Sequence, residues 1–83
     1  MSSSSIGDSH VLKKPLILFL HPAAVETFSQ PDRRIVTFRA GTKVTVIDVR
    51  PSVYHGDMNV VGLRRKDGLV GYILVRLARL DVL

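Results

Sequence analysis

The chain predicts an all-β domain, a small barrel of five or six short antiparallel strands with an extra N-terminal strand or arm, and three observations carry that expectation. Short runs rich in Val, Ile, Leu and aromatic residues follow one another through residues 34–83, a pattern suited to pleated, half-buried strands. Turn formers punctuate them: Gly41-Thr42 ahead of Lys43-Val44-Thr45-Val46, and Asp67-Gly68 ahead of Leu69-Val70-Gly71-Tyr72-Ile73. The length, 83 residues, allows one domain with a thin core, burying roughly 60–65% of the surface the unfolded chain exposes. Such barrels bind more often than they catalyse, so partner and surface are the questions to pursue.

Residues 1–14 open with a Ser-rich stretch carrying little apolar surface to offset an ordering cost of roughly 1–2 kcal/mol per residue. They are expected to form a disordered tail, and residues 15–83 the domain. Residues 16–20, Leu-Ile-Leu-Phe-Leu, lack the alternation of a strand wet on one face, so coverage on both faces is expected. That coverage comes either from a central position in the sheet or from a second copy of the chain. Residues 13–20 superficially resemble a signal peptide, but His21-Pro22 interrupts the run and no small-residue cleavage site follows cleanly. Pro22 is suited to open a single helical turn, while Val25, Thr27 and Phe28 also suit an edge strand. Residues 29–32 read as a turn.

From residue 35 the pattern sharpens. Ile35-Val36-Thr37-Phe38-Arg39 is strand-like, and residues 43–49 alternate until Ile47 and Val49 turn the second face apolar, which suits a strand bending at a barrel corner. Residues 50–57 form the longest loop of this half. Residues 58–64 form the next strand, with Gly62 marking a bulge or a close backbone approach. Asp67-Gly68 supplies the positive-φ positions of a hairpin, residues 69–74 return antiparallel, 75–78 tighten into a 3₁₀ turn, and 79–83 alternate as a last strand.

Composition narrows the chemistry. There is no cysteine, which removes disulfides, thiol nucleophiles and cysteine-ligated zinc, and suits a cytoplasmic location. Twelve Lys and Arg against seven acidic residues give +5, favouring acidic partners in general. No run reaches the ~20 apolar residues of a membrane span. His10, His21 and His55 lack metal-ligand spacing, and no Gly-rich phosphate loop is present, so neither metal nor cofactor is expected.

Over residues 34–83 the order Gly-Thr-x-Val-x-Val at 41–46, a variable loop, a strand at 58–64, a charged tight turn ending in Gly68, then Gly71-Tyr72-Ile73 and an apolar Leu77 resembles bacterial Src-homology-3-like domains. The resemblance implies a small barrel used as an interaction module. Peptide-binding members recognise polyproline through an aromatic groove. This chain has no Trp, begins the relevant strand with Met58-Asn59, and carries Val75-Arg76-Leu77 where a Tyr is expected, so that groove does not carry over. Residues 15–33 lie outside the resemblance, as an added strand or arm.

Two candidate surfaces follow. The first is the 50–57 loop, with Tyr54 as anchor beside His55 and Asp57. An imidazole and a carboxylate two residues apart invite an acid–base reading, but without a nucleophile the plainer one is an ordinary turn, and no enzyme is expected. The second is the basic hairpin Arg64-Arg65-Lys66, with Arg76 and Arg79 expected nearby on the terminal segment. Its plain reading is a solvated, aggregation-resistant tip. The leading expectation is a non-catalytic module binding a protein partner with an acidic face through both surfaces. The first alternative is a nucleic-acid-binding barrel using the basic face. The second is a homodimer formed through residues 16–20.

Overall fold

A computed structural model describes residues 6–26 and 32–76. Strands β1 (Ser9–Val11), β2 (Leu16–Phe19), β3 (Ile35–Phe38), β4 (Lys43–Pro51), β5 (Asn59–Arg65) and β6 (Val70–Val75) form one sheet, with a 3₁₀ turn at Pro22–Val25. Every pairing is antiparallel, and the order is β1-β4-β5-β6-β2-β3. The all-β class is therefore as predicted. Among the described residues β1 and β3 remain the two edges and do not pair, so the sheet is open where a closed barrel was expected.

One face of the sheet holds the core. Leu12, Leu18, Phe38, Val44, Val46, Val61, Leu63 and Val75 are buried together, with Leu16, Val36, Val49, Leu69 and Ile73 packed around them. Period-two alternation places them there in every strand but β4, where Val46 and Val49 face inward although three residues apart. A bulge reconciles them. Val46 pairs with Leu63 and Asp48 with Gly62, leaving Ile47 supernumerary, so Val49 returns to the core face opposite Val61. This is the physical content of the bend predicted near Ile47.

Two glycines admit neighbours that any side chain would block. A Cβ on Gly71 would lie 2.6 Å from the Cβ of Leu18, so glycine lets β2 cross tightly over β6, which it pairs with at Phe19 and Tyr72. Gly62 lies opposite Tyr72, whose ring covers it, 3.0 Å from where a Cβ would stand. The close approach predicted at Gly62 is thus real, while the bulge belongs to the facing strand.

Several expectations are corrected. Residues 9–14 are not tail: β1 pairs with β4 from Ser9–Thr45 to Val11–Lys43, and the Gly7 N–H donates to the Val46 carbonyl at 2.7 Å. The open edge of β4 offers backbone partners whatever the side chains, and Leu12, 2% exposed, adds the burial that the polar composition lacks. Residues 16–20 are not covered on both faces, because Leu18 enters the core but Ile17 is 63% exposed on the far side of a single layer. His21 does more than end a strand. It caps the 3₁₀ turn, its Nδ1 accepting the Ala23 N–H at 3.1 Å, with Pro22 at the first position. In the 65–69 hairpin only Gly68 has positive φ (+95°), not Asp67. The Gly68 N–H donates to the Arg65 carbonyl and the Arg65 N–H to that of Leu69, a type I turn closed by a glycine bulge. Phe28, most of the 29–32 turn, and the 3₁₀ turn and last strand expected beyond residue 76 lie outside the described residues.

Candidate functional site

β5 organises the outer face. Val60, Gly62 and Arg64 alternate outward along it, each in different surroundings. Val60 is buried beneath the 3₁₀ turn together with Ala24, both outside the main core cluster. Gly62 lies under Tyr72. Arg64 is exposed. The outer face thus passes from a covered end near the 52–57 loop to an open end at the hairpin.

At the covered end, Ser52 is the pivot. Its hydroxyl donates to the Glu26 carboxylate and accepts the backbone N–H groups of Tyr54 (3.3 Å) and His55 (3.1 Å). Glu26 also accepts the Val53 N–H at 2.7 Å, and the Ser52 N–H donates to the Met58 carbonyl at 3.0 Å. A carboxylate on the 3₁₀ arm therefore clasps a loop 26 residues away. The Ser52 hydroxyl bond lowers the Glu26 pKa most, aided by the Val53 N–H and the charges of His55 and Arg50, against the opposing effect of burial. Ser52 beside a carboxylate has the outline of a nucleophile and base. Its oxygen already accepts two backbone N–H groups and the residue is buried, so the hydroxyl acts as a loop brace. Beside the clasp, His21, Pro22, Ala23, Glu26, Arg50 and Val60 line a depression of about 220 Å³. Arg50 donates there to Asp48 from Nε at 2.8 Å.

The brace presents Val53 and Tyr54 to solvent, 80% and 68% exposed. His55 and Asp57 are exposed on the same loop. Asp57 is taken up by Arg76, Nε at 3.0 Å and Nη2 at 2.7 Å. That pair ties the loop to the end of β6.

The hairpin end is different. Ser9, Lys43, Thr45, Arg64, Arg65 and Lys66 line an open groove of about 320 Å³. The register explains it: Ser9 pairs with Thr45 and Thr45 with Arg64, so the three cross β1, β4 and β5 in one outward row, with Lys43 two residues along β4 on the same face. Arg65 alternates to the other side of β5, opposite the buried Val44. Its guanidinium donates to both Asp67 oxygens at 2.9 and 2.7 Å and sits 5.4 Å from the Phe38 ring centre. Those bonds, with the Leu69 N–H, hold the Asp67 carboxyl down at about 2. Lys43, Arg64 and Lys66 form no ion pair with any described residue.

Of the residues singled out from sequence, the structure gathers Tyr54, His55 and Asp57 on one loop and Arg64, Arg65 and Lys66 on one hairpin. It separates Arg76 from the hairpin, placing it beyond Val75, which pairs with Asn59 at the opposite end of β5, whereas Arg64 pairs with Val70. The expected grouping of Arg76 with Arg64–Lys66 is thereby corrected. Antiparallel pairing sends the end of β6 back to the start of β5. Arg79 lies outside the described residues.

Sequence reasoning missed Ser52 and Glu26, whose partnership spans 26 residues with no local signature. It also missed Lys43, Thr45 and Ser9 as companions of Arg64. The alternation of residues 43–46 set Lys43 and Thr45 on one face, but joining that face to Arg64 needs the β4–β5 register.

No protein-family model matches the chain, and comparisons with curated proteins and with solved structures returned no match. No helix among the described residues is long and apolar enough to cross a membrane, and no cluster of three metal-binding side chains occurs among them.

Proposed function

We propose that the chain is a non-catalytic protein-interaction module of Src-homology-3-like type that presents the 52–57 loop to a protein partner. The observation supporting it most is the pairing of Val53 and Tyr54, both largely exposed, with a backbone fixed by Ser52 and Glu26. Large side chains held outward on a braced loop sacrifice little freedom on binding, and Tyr is enriched among residues that dominate interface energy. The likeness to Src-homology-3-like domains is supported by the β4–β5–β6 meander and its charged turn. The 64–68 hairpin stands about 20 Å away, at six steps of roughly 3.3 Å along β5, and belongs to a separate footprint.

The alternative of self-assembly through residues 16–20 has a narrower base. β2 has a sheet neighbour on each side, which leaves Ile17 on its outer face as the exposed element. Light scattering at the mass of two chains would favour it.

A photo-crosslinking side chain in place of Tyr54, compared with one in place of Ile17, tests the reading. The Tyr54 position should capture one discrete protein, competed by wild-type chain and at least tenfold less well by Tyr54→Ala, as expected for an anchor contributing about 1.4 kcal/mol or more. Equal capture at both positions, or competition indifferent to Tyr54, would sink it.

A further inference from the structure

We propose that the groove between β1, β4 and β5 binds the phosphodiester backbone of nucleic acid without reading its sequence, a role separate from that of the loop. Three cations converge there from two strands and a turn: Lys43, Arg64 and Lys66. Each is exposed and free of ion pairs to described residues, so binding an anion displaces no internal partner. Arg65, the fourth cation of the lining, is engaged by Asp67 and held over Phe38 on the core face.

The remaining lining residues, Ser9 and Thr45, supply hydroxyls at the floor. Hydroxyl and cationic donors side by side suit phosphate oxygens, which take a large share of protein–nucleic-acid hydrogen bonds. Lys43 lies diagonally across from Arg64, one strand over and two residues along, which sets the two positions about 7–8 Å apart. That spacing is comparable to the separation of successive phosphates along one nucleic-acid strand.

An acidic peptide is the other polyanion to weigh. A peptide or protein partner draws its affinity from apolar anchors, and the lining contains no apolar residue. Val11, opposite Lys43 and 59% exposed, does not line the groove. The groove equally lacks an aromatic platform on which a base would stack, so contact with the backbone, blind to sequence, is what it is built for.

Fluorescence anisotropy with a random-sequence DNA duplex, titrated between 50 and 200 mM salt, tests this. Three neutralised phosphates give a log–log slope of about −2.7, or roughly a 40-fold loss of affinity across that range. Arg64→Gln should lower the slope by about 0.9, and the triple replacement Lys43→Gln, Arg64→Gln, Lys66→Gln should nearly flatten it. Arg76→Gln removes the same charge at the far end and should leave the slope unchanged. Tyr54→Ala should also leave it unchanged, so failure here and failure of the loop reading are distinguishable. The proposal is overturned by absence of binding at 50 mM salt, by a wild-type slope in the triple variant, or by polyglutamate competing as well as an oligonucleotide of equal charge. If the triple variant proves unstable in a thermal melt, the three single replacements carry the same test.

Discussion

At the loop end of β5 the charged groups are consumed internally: Arg76 closes on Asp57, Arg50 on Asp48, and Glu26 on Ser52 and Val53. Val53 and Tyr54 face solvent there, 80% and 68% exposed, beside the exposed His55. At the hairpin end Arg65 is paired with Asp67, while Lys43, Arg64 and Lys66 form no ion pair with a described residue. The sequence places cations near both ends, and only their pairing distinguishes them. The contrast teaches that a net charge of +5 says little until each cation's partner is known, because internal pairs cancel the field a ligand meets.

The largest expected effect comes from joining the two ends in one failure. Gly71→Ala forces a methyl to within 2.6 Å of Leu18 Cβ, and overpacking of that kind should cost about 3 kcal/mol in urea unfolding. That is a large fraction of the 5–15 kcal/mol typical of a domain. Protection from hydrogen exchange should fall throughout the sheet. Loosening confined to one end would show that the ends open as independent units and break the comparison.

A smaller, local effect follows from Ser52→Ala. Losing a hydroxyl that serves three groups should cost about 1–2 kcal/mol and expose the Tyr54 and His55 amides to exchange, with the hairpin amides unchanged. The clasp also carries a pH signature. Glu26 titrates below its ordinary 4.5 in the folded chain, so its contribution is complete above that value and is lost as pH falls through the lowered one. Asp67, held at about 2, keeps its pair with Arg65 until far more acid conditions. Carboxyl NMR titration should find Glu26 below 4.5 and Asp67 near 2; an Asp67 midpoint at its ordinary 3.8 would remove the asymmetry.

The smallest effect is the most discriminating. Asp67→Asn breaks an exposed pair and should lower stability only slightly. It also releases Arg65, whose side chain lies over Phe38 on the core face, so the salt slope of duplex binding should stay the same. A steeper slope would show that Arg65 swings round to the groove once Asp67 no longer holds it.

Much of the fold was legible because alternation and turn chemistry are local. Residues 35–38, 43–46 and 70–75 declare themselves as strands through β-branched residues, and Gly68 through its turn. What stayed hidden depends on pairing. β1 escaped because its residues 9–11 join the sheet through backbone bonds to β4, which side-chain composition does not encode. The clasp between Glu26 and Ser52 escaped because its members are distant in sequence. The position of Arg76 is hidden for the same reason, since the antiparallel return of β6 carries it to the far end of β5 from Arg64. The exposure of Tyr54 and Lys66 was legible because loops and turns keep long side chains outward whatever the register.

The supernumerary Ile47 gives β4 slack in its length. Were it missing, Val44, Val46 and Val49 would still face the core, Asp48 and Arg50 would still reach each other outside, and the strand would simply run straighter. A residue lost two places on, at Val49, leaves no such margin, since Arg50 then falls opposite Val61 and points its charge inward. Tolerance to shortening along this strand is therefore concentrated at one position, where a residue can be lost with the interior, and the span from braced loop to basic groove, undisturbed.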